Sequence, residues 1–217
     1  MRKPALSLFL LPALLLGACA QAPAPGAPTA PPSTAATVAV RASAQTTPMP
    51  AVEPEFFRTQ IDAMSQPRVL VHKAAHVLEV YDGDRLMARI RVALGSAPVG
   101  QKQQEGDGRT PEGTYYACMR NPKSKYYLSI GLSYPNTEDA QRGLDAGSIS
   151  REQYERIADT IRRGARPPWD TPLGGEIMLH AGGTDGDWTA GCIAMAPEDM
   201  DYLWQHVALG TAVEIAP

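Results

Sequence analysis

A glycine-rich stretch, residues 175–195 (GEIMLHAGGTDGDWTAGCIAM), sets the terms for the rest of the chain. A short apolar run, Ile177, Met178 and Leu179, delivers His180. A loop holding Gly182, Gly183 and Gly186 follows, and the chain arrives at Gly191-Cys192-Ile193. A cysteine and a histidine twelve residues apart, each beside small residues, have the makings of a nucleophile and its base. A free thiol has a pKa of about 8.5 and is weakly ionised at neutrality, so a nearby imidazole would draw its proton away. Glycine before the cysteine would let a substrate carbonyl approach the backbone, where N–H groups can meet a developing oxyanion. The same residue types also serve as a small buried hydrophobe and a satisfied structural histidine, and spacing alone leaves both readings open.

The N-terminus carries a different message. Arg2 and Lys3 precede an apolar run over residues 5–16, broken by Ser7 and Pro12, which reads as an export signal over residues 1–18. The run is too short and interrupted for a transmembrane helix. It ends Leu16-Gly17-Ala18-Cys19, which resembles a bacterial lipoprotein signal with Cys19 as the lipidated first mature residue. Ala20 follows where aspartate would mark inner-membrane retention, so the resemblance implies an outer-membrane anchor facing the periplasm. Residues 19–54 are a disordered tether: beyond Cys19 they are mostly Ala, Pro, Ser and Thr, with only Arg41 and Glu53 charged, and cannot bury enough apolar surface to order themselves. The folded domain is therefore expected over residues 55–217. Its thiols are Cys118 and Cys192, and in an oxidising compartment a 118–192 disulfide stays open. A net charge of -3 with no basic patch argues against a nucleic-acid partner, and four scattered histidines argue against a metal site.

Along the domain, residues 55–64 space Phe57, Ile61 and Met64 for one face of a short helix. From Arg68 the pattern becomes β: residues 69–71, 76–81 and 86–94, with a hairpin turn at Asp82-Gly83-Asp84. His72 and His76 fall at strand ends or exposed faces. Residues 95–113 form a long Gly- and Pro-rich loop, a length that points to function, and its Arg109 offers a planar fork suited to carboxylates. Strands follow over 114–119 and 126–134. Asn136 or Thr137 can cap a helix from Glu138, and Ser150 with Gln153 forms a capping box for a helix to about Arg163. The pair makes a surface excursion over the sheet, and Arg162, Arg163 and Arg166 read as a solvated helix end. Pro197 opens a helix with Met200, Leu203, Trp204 and Val207 on one face and His206 toward solvent. Gly210 ends it before a last strand, 211–216.

Several of these segments together resemble the L,D-transpeptidase catalytic domain, the YkuD-type family of peptidoglycan enzymes, in its YafK-like branch. The likeness rests on residues 92–95 and 98–100, on the loop 105–113 (EGDGRTPEG), on Ser133-Tyr134-Pro135-Asn136 and on residues 187–195 (DWTAGCIAM). The chain departs from the family in placing Ala181, not glycine, after the histidine, and in having Ala190 where another branch has a second histidine.

The resemblance implies an α+β, mainly β fold: a bent, mixed, sandwich-like β-sheet with a few peripheral helices. It implies Cys192 as nucleophile, His180 as its base oriented by a backbone carbonyl, and the N–H groups of Gly191 and Cys192 as oxyanion donors. Asp185 and Asp187 then need no role as a third member. Arg109, Gly182 and Thr189 are candidates for binding substrate, with Arg109 as readily a loop-former through backbone carbonyls. The implied reaction is transpeptidation on tetrapeptide stems, cross-linking the wall or attaching a protein to it. Hydrolysis on the same acyl-enzyme, trimming stems or releasing a wall-bound lipoprotein, is the alternative. A non-catalytic wall-binding lipoprotein is the third. The expected partners are stem peptides and an outer-membrane lipoprotein as acceptor or substrate, with no cofactor.

Overall fold

The computed structural model describes residues 55–217; the export signal, Cys19 and the tether lie outside the described residues. Strand β1 (Phe57–Arg58) is followed by an antiparallel meander of β2 (Pro67–His72), β3 (Val77–Asp82) and β4 (Arg85–Arg91). In β2 the period-two rule holds, with Val69 and Val71 buried and their neighbours partly exposed. Next come β5 (Gly113–Ser124), β6 (Tyr127–Leu132), α1 (Thr137–Asp145) and α2 (Arg151–Arg162). The chain ends with β7 (Met178–Ala181), β8 (Ile193–Met195), α3 (Pro197–His206) and β9 (Ala212–Ala216).

Among the described residues, nine strands form one mixed sheet in the order β1-β4-β3-β2-β9-β5-β6-β7-β8. The β2/β9 and β7/β8 pairs are parallel and the rest antiparallel. β5 is the hinge of the curl. Its first residues pair with β9 and its remainder with β6, and the register slips between Ala117 and Met119, as a bulge that bends a strand would do. The chain beyond β4 then reaches the far end of the sheet, where Ala93 and Ala194 exchange N–H···O bonds of 2.9 Å in both directions. The sheet is therefore a curled half-barrel, and its concave side holds the main core, including Leu78, Ile90, Leu132, Leu179 and Ile193.

The helix starts read at Asn136 and Ser150 are present. Asn136 caps α1 through the Asp139 N–H, and Ser150 caps α2 through the Gln153 N–H. The two helices bury Ala140, Ile149, Ile157 and Leu173 in a small cluster of their own, as an excursion beside the main core. α3 seals the curl with Met200 and Leu203.

Two expectations are corrected. Residues 55–64 form no helix; Phe57 and Arg58 add an edge strand to β4, and the Thr59 N–H donates to the Met87 carbonyl at 2.8 Å. A ten-residue uncapped helix is marginal by itself, whereas the open β4 edge offers ready partners. His206 does not face solvent. It is buried against Tyr202, one helical turn earlier, with ring centroids 4.6 Å apart.

The long loop between β4 and β5 is pinned rather than loose. The buried Lys73 ammonium donates to the Gly100 and Thr110 carbonyls and to Glu112. Buried Lys102 donates to the Gln104 carbonyl and to Asp107. Asp107 in turn accepts the N–H groups of Gln103, Gln104 and Arg109.

Candidate active site

Parallel pairing of β7 with β8 brings the histidine and cysteine motifs together. Leu179 lies beside Ile193 and His180 beside Ala194. The same register sets Cys192 beside Met178, two residues before His180, so both functional side chains emerge on one face. They line a common cleft of about 780 Å³, whose walls also include Lys102, Tyr126, Trp169 and Trp188.

The imidazole is fixed by its nearest carbonyl. His180 Nδ1 lies 2.5 Å from the Ala181 carbonyl oxygen. A carbonyl only accepts, so Nδ1 carries the proton and Nε2 of the neutral ring is left as the base. Ala181, where glycine is usual, does not disturb this contact. The ring stacks on Tyr126, centroids 4.5 Å apart and planes 18° from parallel, and Trp188 meets it edge-on at 5.6 Å. Burial in this clamp lowers the His180 pKa below its ordinary value, and Lys125 adds to the effect against the Ala181 hydrogen bond.

Burial also raises the pKa of the Cys192 thiol, opposed by the Met178 N–H and the ammonium groups of Lys102 and Lys125. The thiol donates to the Glu176 carbonyl at 3.4 Å. The resting pair is thus a neutral thiol and a neutral imidazole. Cys118 is free as well, partly buried in β5 with its pKa pushed up to about 11 by burial, and no 118–192 disulfide forms.

The turn before Cys192 is built by Thr189. Its hydroxyl donates to the Cys192 carbonyl at 2.8 Å and accepts the Gly191 N–H at 3.1 Å. This geometry bears on two expectations. The Gly191 N–H is already engaged and is not an available oxyanion donor. The Thr189 hydroxyl shapes the turn as both donor and acceptor, and Thr189 also lines the cleft. Gly191 owes its identity to packing rather than to ligand approach. At φ +130°, a Cβ there would lie 2.7 Å from the Arg109 carbonyl oxygen. Gly182 likewise makes room for the clamp, since a Cβ would meet the Trp188 ring at 2.8 Å, and it is not among the cleft-lining residues.

Of the two roles expected for Arg109, the geometry supports loop formation: its guanidinium donates to the Gln101 carbonyl at 3.2 Å and it does not line the cleft. Asp187, placed outside the catalytic pair, ties the loop to the segment after β4 and to the β2–β3 turn: it accepts the Leu94 N–H at 2.8 Å and contacts His76 Nε2 at 2.9 Å. Tyr126, Lys125, Trp169 and the Glu176 carbonyl escaped sequence reading. Only Trp188, inside the cysteine motif, carried a local signal.

A family profile described as "L,D-transpeptidase catalytic domain" (YkuD) matches residues 66–215. The chain is similar to YafK of Escherichia coli (strain K12), which carries a provisional L,D-transpeptidase name, with 26% identity over 147 residues covering 64% of this chain and 46% of YafK. Among solved structures it is similar to the helical cell shape determining protein Pgp2 (K307A mutant) of Campylobacter jejuni, at 22% identity and TM-score 0.49, covering 73% of this chain and 49% of that one. It is also similar to an L,D-transpeptidase of Xylanimonas cellulosilytica, at 14% identity and TM-score 0.42, covering 74% and 65%. The chain spans about half the length of YafK and of Pgp2.

Proposed function

The chain belongs to the YkuD family of L,D-transpeptidase catalytic domains, and from that premise we propose that it is a cysteine acyltransferase acting on the tetrapeptide stems of peptidoglycan. The observation that carries this reading is the Cys192–His180 cleft, with Nδ1 locked by Ala181 and Nε2 left as base. As Sγ of Cys192 bonds to the carbonyl carbon of the third stem residue, Nε2 takes the thiol proton. The N–H of Cys192 itself, rather than that of Gly191, meets the oxyanion. Cleavage of the C–N bond expels D-alanine, whose amine receives the proton from the imidazolium, and a thioester remains. The side-chain amine of a second stem then attacks the thioester, loses its proton to Nε2 and releases the thiol.

The test is incubation of the full chain with tetrapeptide muropeptides, products read by mass spectrometry against Cys192→Ala. New cross-linked dimers that vanish in the variant support transpeptidation. Loss of D-alanine without dimers moves the assignment to hydrolysis, and no difference from the variant contradicts both. An outer-membrane lipoprotein is the protein acceptor or substrate to include. The proposal extends to location: export by residues 1–18 and lipidation of Cys19 hold the domain at the periplasmic face of the outer membrane. Cys19→Ser is expected to move the protein to the soluble fraction, and unchanged fractionation would contradict the anchor.

A further inference from the structure

Arg162, Arg163 and Arg166 look alike in the sequence, yet the fold separates them. Arg162 and Arg163 both pair with Asp159, and Arg156 pairs with Asp170. Arg166 instead lies over Trp169, its guanidinium carbon 4.6 Å from the ring centroid, and lines the Cys192 cleft. It makes no ion pair among the described residues.

The ring beneath it is rigidly held. Trp169 Nε1–H donates to the Tyr134 carbonyl at 3.1 Å, and Gly175 is so close that a Cβ there would lie 2.1 Å from the indole. A guanidinium held over such a shelf, with no ion pair of its own among the described residues, leaves its N–H groups for a planar, two-oxygen partner. Arg166 and Trp169 also line an adjoining groove of about 520 Å³, so the cation stands where the cleft continues toward α2.

The other cations of the cleft are Lys125 and Lys102. Lys102 is used by Asp107. Lys125 lies over the Tyr126 ring at 4.8 Å, beside His180, and also makes no ion pair among the described residues. Glu105 and Glu176 line the same cleft, so its wall is not uniformly basic and a polyanion would meet repulsion. A ligand bearing separate carboxylates suits this pattern.

We propose that Arg166, presented on the Trp169 indole, is a substrate-reading residue that seats a carboxylate of the ligand acylating Cys192, with Lys125 supplying a second cationic contact on the His180 side. Naming that carboxylate as one from the stem peptide rests on the acyltransferase reading above; the preference for a carboxylate does not.

The test needs no turnover. Iodoacetate and iodoacetamide both alkylate a thiolate with loss of iodide, forming one S–C bond, and differ in carrying a carboxylate or a neutral amide. Their second-order rates are measured on the full chain at the Cys192 peptide by mass spectrometry, and the iodoacetate:iodoacetamide ratio is taken so that changes in thiol reactivity cancel. The expected ratio exceeds that of free cysteine. It should fall by about threefold or more in Arg166→Gln, fall further in Arg166→Gln/Lys125→Gln, and stay nearer wild type in Arg166→Lys. In the unmutated protein it should also decline as salt is raised from 0.01 to 0.5 M, a range over which screening becomes severe. A ratio unchanged in the double variant, or insensitive to salt in the unmutated protein, overturns the proposal. Failure of the muropeptide assay with the ratio intact would instead sink the acyltransferase reading alone.

Discussion

At Cys192 and His180, burial acts on both titrations toward the neutral form: it raises the thiol and lowers the imidazole. In the proposed reaction such a pair passes the proton during attack rather than holding a preformed thiolate. Because the His180 pKa is lowered, its base form survives below the usual imidazole range. We therefore expect kcat/KM to rise from acid with a midpoint below 6.5 and to be flat through neutrality. Alkylation of Cys192, which needs the thiolate, should show a midpoint above that of free cysteine. A midpoint for alkylation well below neutrality would contradict the neutral pair. Thr189 offers a second prediction at this scale. Thr189→Val removes the acceptor of the Gly191 N–H and the donor to the Cys192 carbonyl, and should cost about 1–3 kcal/mol of stability with a loss of activity, while Thr189→Ser keeps both. Thermal unfolding and turnover of the two variants check it. The pair itself was legible because its two motifs are local. Its surroundings were not, since Tyr126, Trp169 and the Glu176 carbonyl come from segments whose proximity only the curled sheet creates.

The elements were largely legible, for a local reason. Asn136, Ser150 and Pro197 mark helix starts through side-chain or φ chemistry confined to a few residues, and all three helices begin there. Residues 55–64 failed because helical spacing alone cannot compete with an open strand edge. Two further predictions belong to elements. Gly191→Ala places a methyl against the Arg109 carbonyl at a positive φ, so the cysteine turn and the 95–113 loop should lose their fit, lowering Tm and activity together. Unchanged stability would show the contact to be soft. Asp139 anchors the start of α1, accepting the Asn136 N–H and the Tyr115 hydroxyl, and burial raises its pKa to about 6. A carboxyl raised on folding favours the folded state when protonated, so its contribution is full below about pH 4 and is lost as pH rises through 6. The loss is up to about 3 kcal/mol. Asp139→Asn should flatten that part of the Tm–pH curve; an identical curve in the variant would contradict the burial effect.

For the molecule as a whole, a bent mixed sheet with peripheral helices was the fold expected, and a single curled nine-stranded sheet is present. Its closure through Ala93 and Ala194, together with the β7/β8 register, creates the cleft. Neither long-range pairing has a signature within one segment. The Arg109 carbonyl packing on Gly191 shows the same limit, since only the folded chain brings position 109 against the cysteine turn. The proposed reaction requires that a stem peptide acylate Cys192. Intact-protein mass spectrometry of the full chain, quenched in acid during incubation with a tetrapeptide stem, reads it directly. The acyl-enzyme should appear as an added mass equal to the stem less D-alanine, mapped to Cys192, absent in Cys192→Ala and formed far more slowly in His180→Asn. D-Alanine release that continues unchanged in Cys192→Ala, with no adduct on the unmutated protein, would contradict it.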